Sequence, residues 1–461
     1  MNTLQRLELP YTETARPYFA SLANEPGAIW FHSGHPVRKG HRWEWCSAWP
    51  DTRYRLLANQ QIQRSHQGRT ESIETTDFLG WLADQQPSPS IETDLPFSSG
   101  LAGHLNYEAG YALQGLTSRH PSPTSLASID RYNWSLVFDH QHQRTWLCLS
   151  DRLGESLKER LMTWYRGWRE QPPVTQKEPN IAPVSWRSGM SREAYEQRFA
   201  TLKEYILAGD IYQANLTRPW YADIATEVLD WSLYSHLIDR IQAPYSVYHR
   251  ADNHTLMSVS PERFITIANG HITTQPIKGT RPRGATPEAD RQLARELENS
   301  EKDRAENLMI VDLLRNDLSR NAQVGSVKVP KLCEPVAFSN VHHLVSTVTA
   351  ELAANATPLD VLRDAFPGGS ITGAPKRRAM EIIDELEVCA RGPYCGTAFW
   401  LSDSGAFDSN ILIRSLLRTP NQLMCSGGGG IVADSVAGDE YDESATKVAH
   451  ILNALGNASG R

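Results

Sequence analysis

Apolar positions come in short runs early in the chain and in longer helical rhythms later. Ala28-Ile29-Trp30-Phe31 predicts a strand ending at Ser33-Gly34, and Arg42-Trp43-Glu44-Trp45-Cys46 alternates as a half-buried strand should. Leu136-Val137-Phe138 and Trp146-Leu147-Cys148-Leu149 flank polar residues and predict a hairpin. Residues 86–99, rich in proline and serine, predict a loop. Leu157, Leu161 and Trp164 predict a helix over 155–166, bracketed by Gly154 and Gly167.

A proline-rich stretch, 171–183, predicts a connection between two halves. Beyond it Tyr195, Phe199, Leu202 and Ile206 keep helical spacing until Gly209. Pro244 to Tyr248 and Leu256 to Ser260 are strand candidates. Ser300, with Asp303 three residues on, suits the cap of a helix running towards Asn316, its apolar stripe formed by Leu308, Val311, Leu314 and Leu318. A last helix carries Tyr441, Ala445, Val448, Leu452 and Leu455 on one face. The elements mix without a βαβ rhythm, so the expected class is α+β with large antiparallel sheets flanked by helices. The expected division is an N-terminal region over 1–170, a connecting segment over 171–189 and a second domain over 190–457.

Composition narrows the function classes. A chain of 461 residues, 40% hydrophobic and 21% charged, is ordinary for a globular protein with a large core. A net charge of -7 argues against nucleic-acid binding and anionic membrane surfaces. No apolar run of ~20 residues predicts a membrane span, and the start carries no secretory pattern. Six scattered cysteines without a Cys-x-x-Cys pair read as reduced thiols, so a cytoplasmic location is expected.

Candidate chemistry begins at Thr274-Gln275-Pro276-Ile277-Lys278-Gly279-Thr280-Arg281-Pro282-Arg283-Gly284, where Lys278 precedes a turn rich in glycine, proline and arginine. Apolar neighbours favour the neutral amine, a nucleophile, and Arg281 and Arg283 would reinforce this. On the two acidic helices, Asp303 and Glu306 share one face, as do Glu440, Glu443 and Lys447. Hard oxygen ligands from two helices suit Mg²⁺. A solvated acidic turn and a surface Glu443–Lys447 pair are the plainer alternatives. The glycine-rich loop from Phe366 to Lys376 leads into a helix, and Gly427 to Gly430 form a second bare stretch; loop amides in either could bind an anion. Arg414, ending the apolar run Ile411-Leu412-Ile413, could fork onto a carboxylate.

The Pro276-Ile277-Lys278-Gly279-Thr280 stretch resembles a motif of the aminodeoxychorismate synthase component I branch of the chorismate-utilising enzyme family. Anthranilate and salicylate synthases of that family usually have alanine at the position of Lys278. The resemblance extends through motifs in family order over nearly all of 191–455, and more loosely over the first half. It implies an anthranilate-synthase-like fold and chorismate as substrate. It further implies Lys278 as covalent nucleophile and Glu262 as general acid, with Glu306 and Glu443 as Mg²⁺ ligands and Asp303 and Glu440 behind them. Gln213, Thr280, His343, Thr372, Tyr394, Arg414, Gly427, Gly428, Gly429 and Lys447 match substrate-pocket positions. Water-using relatives have a lysine base where this chain has Gln213. Ser33, Arg42, Trp43, Pro244, Tyr245 and Ser246 match a tryptophan pocket, so bound L-tryptophan is a possible partner.

The resemblance implies transfer of ammonia to chorismate on the way to p-aminobenzoate and folate. The chain carries no Gly-x-Cys-x-Gly amidotransferase motif, so a separate glutamine amidotransferase subunit is expected to supply the ammonia. The alternatives are anthranilate synthase component I and, from another class, a non-catalytic tryptophan- or anion-binding regulator.

Overall fold

The computed structural model describes residues 4–34, 41–86, 93–174, 181–337 and 341–457. Among them, two large antiparallel sheets of 12 strands each are flanked by helices. One sheet runs from Leu4–Leu9 at its edge through Ile29–His32, Tyr245–Arg250, Thr255–Ser260, Ser415–Thr419 and Gln422–Ile431 to Gln213–Asp223. The other runs from Ile277–Pro282 through Val341–Glu351, Arg263–Ala268, Phe407–Asn410 and Gly100–Leu105 to Arg69–Ile73. Each sheet takes strands from both sides of the 171–189 connection, so the two halves of the sequence share both sheets. Residues 175–180 of that connection and 87–92 of the expected early loop lie outside the described residues.

The expected strands near Trp30, Trp45 and Trp146 form as read, the last in a hairpin of Trp134–Asp139 with Arg144–Ser150. Gly167 does not end its helix, which continues as Glu155–Glu170, with half-buried Trp164 and Trp168 packed at a tilt against each other and against the apolar cluster that includes Tyr18 and Leu161. The Ser300 hydroxyl accepts from the Asp303 amide at 3.3 Å, capping helix Glu301–Ser319. Leu308 departs from the expected apolar stripe of that helix and is 48% exposed, whereas Val311, Leu314 and Leu318 are buried.

The chain passes between the sheets twice at one place. Thr255–Ser260 lies in the first sheet and Arg263–Ala268 in the second; Phe407–Asn410 lies in the second and Ser415–Thr419 in the first. The two crossings are tied together. The Ile411 amide donates to the Glu262 carbonyl and the Val259 amide to the Arg414 carbonyl, each at 3.1 Å. The Ser260 hydroxyl donates to the Ile411 carbonyl at 2.6 Å. Strands that change sheets make rigid corners, and this corner fixes the backbone of Glu262 and Arg414.

Candidate active site

Glu262 sits in the first crossing with a buried side chain. Burial pushes its carboxyl up to about 7, with Lys278 and the Ser370 hydroxyl pulling the other way. That hydroxyl donates to Glu262 Oε1 at 3.4 Å.

Lys278 lies in the edge strand Ile277–Pro282, where a turn was expected to begin. The strand pairs with Val341–Glu351, and its register shifts between Lys278 and Thr280. Gly279 occupies the irregularity at φ +74°, and a Cβ there would come within 2.7 Å of Leu297 and 2.9 Å of Asp303. Only glycine meets both demands. The lysine amine points inward and donates to the Ser370 carbonyl at 3.5 Å. Burial lowers its pKa first of all; Glu306, Glu262 and Glu443 oppose the shift and Lys447 adds to it. The cation expected from Arg281 or Arg283 is therefore supplied by Lys447. Arg281 is turned to Asp303 at 3.1 Å and Arg283 to Asp290 at 2.7 Å.

The acidic helices converge on the same lysine. Helix Glu301–Ser319 is held to strand Val341–Glu351 by Asn307, which donates to the Leu344 carbonyl at 3.2 Å and accepts from Ser346. Glu306, one residue earlier and half-buried, has no ion pair or hydrogen bond among the described residues. On helix Ala437–Leu455, Glu443 lies 2.6 Å from Lys447, whose amine also donates to the Gly428 carbonyl at 3.0 Å. Glu440 is not on an exposed face. It is buried, accepts from Ser435 at 2.7 Å, and is pushed above the ordinary carboxyl range first by burial and then by Glu443. Among the described residues no three His, Cys, Asp or Glu side chains gather as a ready-made metal cluster. Mg²⁺ needs no such cage, because it keeps waters and binds one or two carboxylates with substrate oxygens. Glu306 and Glu443, one carboxylate from each helix and both coupled electrostatically to Lys278, fit that demand.

The glycine run is corrected from a loop to a strand. Gly427, Gly428 and Gly429 lie inside Gln422–Ile431, opposite Arg218, Thr217 and Leu216. Space explains the absent side chains: a Cβ on Gly427 would come 2.7 Å from the Ser444 carbonyl, and one on Gly429 would come 2.7 Å from Glu440. On the other face, a Cβ on Gly430 would come 2.5 Å from Gln213 Nε2. The bare strand thus lets helix Ala437–Leu455 bring its carboxylates down onto the sheet. The neighbouring strand Ser415–Thr419 pairs with it only as far as Cys425, which leaves that edge of the glycine run unpaired by this neighbour.

Gln213 is fully buried, yet neither its amide nitrogen nor its oxygen finds a hydrogen-bond partner. A buried amide in that state is costly unless a ligand or water completes it. Arg414 does not end a strand; it lies between two, at φ +53°. No carboxylate pairs with its guanidinium among the described residues, and burial holds its pKa below the ordinary arginine value. It acts electrostatically on His343, which is likewise held low, chiefly by burial. His343 Nδ1 lies 3.0 Å from the Thr280 hydroxyl. Thr372 and Tyr394 are both buried, and the Thr372 hydroxyl donates to the Gly368 carbonyl at 2.9 Å.

Ser33, Arg42, Trp43, Pro244, Tyr245 and Ser246 all line one cavity of about 340 Å³. Arg263, Trp400, Asp408 and Asn410 are among the other residues of its wall. The sequence reading missed these four. Arg263 opens the strand that Glu262 precedes, and the tendency of consecutive side chains in extended backbone to point to opposite sides was the available signal for one of them.

Together these features place a buried acid at a corner between sheets and a half-buried amine on an edge strand, coupled electrostatically to carboxylates from two helices. The family described as chorismate binding enzyme matches residues 38–453. Aminodeoxychorismate synthase component 1 of Klebsiella aerogenes is 41% identical over 458 residues, covering 97% of this chain and 98% of that protein. The protein of the same name from Salmonella typhimurium is 41% identical, covering 98% of each chain. The crystal structure of anthranilate synthase component I from Streptococcus pneumoniae TIGR4 superposes with a TM-score of 0.79 at 27% identity, covering 90% of this chain and 93% of that one. The chain belongs to the family of chorismate binding enzymes.

Proposed function

We propose that this chain is the chorismate-aminating component of an aminodeoxychorismate synthase, using Lys278 as a covalent nucleophile. The observation that carries the reading is the half-buried Lys278 amine, which donates to the Ser370 carbonyl at 3.5 Å and lies within the electrostatic reach of Glu306, Glu262 and Glu443. The names of relatives such as the Klebsiella aerogenes protein support the same reading.

In the first step the neutral Lys278 amine forms a bond to ring C2 of chorismate. The ring double bonds shift and the C4–O bond breaks. Glu262 delivers its proton to the departing hydroxyl, which leaves as water. Ammonia then bonds to C4, the double bonds shift back, and the C2–N bond to Lys278 breaks. The product is 4-amino-4-deoxychorismate, a precursor of p-aminobenzoate and folate. Arg414 and the amides of the glycine strand's free edge would bind one carboxylate of the substrate, and the Gln213 amide would complete its hydrogen bonds there. Glu306 and Glu443 would hold Mg²⁺, with Asp303 and Glu440 behind them, and the ion would neutralise the other carboxylate. Ammonia would come from a separate glutamine amidotransferase subunit, and the 340 Å³ cavity would take L-tryptophan.

Intact mass after incubation with chorismate and Mg²⁺, without ammonia, tests the mechanism. A chorismate-derived adduct in the wild-type protein, absent from Lys278→Ala, is expected. Anthranilate fluorescence and pyruvate release on adding ammonia would instead identify an anthranilate synthase.

A further inference from the structure

Ser370 stands between the two groups that the proposed reaction uses. Its carbonyl accepts from Lys278 Nζ at 3.5 Å and its hydroxyl donates to Glu262 Oε1 at 3.4 Å. We propose that Ser370 is a positioning residue that aims the Lys278 amine through its backbone and holds the Glu262 carboxyl through its side chain. This role in turnover rests on the reaction proposed above. Both contacts are long, as catalytic hydrogen bonds often are before substrate binds.

The residue is clamped from both sides. It is the middle of the 3₁₀ turn Gly369–Ile371. Gly369 lies so close to the first acidic helix that a Cβ there would overlap Leu313. The Ile371 carbonyl accepts from Arg391 Nη1 at 3.0 Å. Arg391 is itself fixed by two bonds to Glu387, at 2.9 and 2.7 Å, and by the Asn215 carbonyl at 2.8 Å. Each of these partners is buried. The turn cannot drift without opening this network, so Ser370 offers both of its oxygens from a fixed place.

The two contacts have different consequences. The carbonyl engages one N–H of Lys278 and so restricts where the lone pair points. The hydroxyl occupies Oε1 of Glu262 and leaves Oε2 to carry the proton that is delivered. A hydrogen bond donated to a carboxylate favours its charged form. Ser370 therefore opposes the burial that pushes Glu262 up to about 7. Among the described residues, the titratable groups coupled electrostatically to Glu262 are Lys278 on its edge strand and the buried Cys395 thiol. Without the hydroxyl, Glu262 would hold its proton to higher pH and release it less readily.

The test compares Ser370→Ala and Ser370→Thr in the full chain. One readout is the pH profile of chorismate consumption with ammonia and Mg²⁺. The other is the infrared band of a protonated carboxyl that Glu262→Gln removes, titrated in the free protein. In Ser370→Ala both midpoints should move up by roughly one pH unit, a tenfold change in the proton equilibrium. The kcat should fall about tenfold with KM within about twofold. Ser370→Thr should keep the wild-type midpoint. An unchanged infrared midpoint in a folded alanine variant overturns the proposal, as does a threonine variant shifted as far as alanine. Should the alanine variant not fold, Ser370→Gly is read in the same way. The infrared titration needs no chorismate, so a wild-type protein that left chorismate unconsumed would reject the proposed function and leave this result standing.

Discussion

Glu262 and Arg263 are consecutive in the chain and face different chambers. Glu262 meets Lys278 and Ser370, while the Arg263 guanidinium pairs with Asp408 at 3.0 Å and lies 5.0 Å from the centre of the Tyr245 ring. One crossing between sheets therefore forms a wall of both the candidate active site and the 340 Å³ cavity.

Separate chambers predict separable ligands. L-tryptophan at 100 times its Kd should stabilise the wild-type protein by about 2.7 kcal/mol, read as a rise in Tm. Tyr245→Ala should abolish that rise. Lys278→Ala should keep it, because the amine does not line the cavity.

Glu262 should trade stability for activity. Its folded-state pKa, about 7, lies above the model-compound value of 4.5. Below 4.5 both states are protonated and burial costs nothing. As pH rises towards 7 the unfolded chain releases a proton that the folded protein retains, so folding loses stability; above 7 the full loss is reached. The interval corresponds to on the order of 3 kcal/mol. Glu262→Gln should therefore raise Tm at pH 8, where the wild-type carboxylate is buried and charged. The same variant should lose roughly 10²- to 10⁴-fold in kcat, and the alkaline limb of the wild-type pH profile, set by loss of the acid, should disappear.

Glycine in the strand beneath the acidic helix is required by space. In Gly427→Ala the new methyl would meet the Ser444 carbonyl, a backbone atom that cannot rotate away. The substitution should destabilise the protein by about 1–3 kcal/mol in urea titration. It should also weaken the Mg²⁺ dependence of turnover, because the helix that lifts away carries Glu440 and Glu443.

A buried histidine row predicts sensitivity to acid. His249 Nε2 lies 3.3 Å from Asp130, His249 Nδ1 lies 2.9 Å from His104 Nδ1, and His104 Nε2 lies 3.2 Å from His254 Nε2. The row ties strands of one sheet to strands of the other, and Arg55 closes its far end on Asp130 at 2.6 Å. Burial pushes the His254 ring down to about 3 and the His104 ring well below the histidine range. A depressed folded-state pKa contributes stability that is full above about 6.5 and is lost as pH falls below it. Each such histidine should make unfolding free energy fall by up to about 1.4 kcal/mol per pH unit there. Urea titrations between pH 7.5 and 5 should show this slope, and His254→Asn should flatten it.

Much of the site was legible because its chemistry is local. A lysine between Ile277 and Gly279, a glutamate before a strand and carboxylates three or seven residues apart on an amphipathic helix are properties of short segments. So are the Ser300 cap and the helix ending before Gly209. These patterns determined the α+β class and the two acidic helices, whereas Glu262 and most of the pocket residues were named through the family resemblance. Tertiary structure decided the rest. It turned Arg281 and Arg283 away to Asp303 and Asp290, buried Glu440, made the glycine run a strand, and put Arg414 at a crossing between sheets. Whether a side chain loses water, or a Cβ has room, is settled by elements that are distant in sequence and packed against it. No periodicity within one segment contains that information.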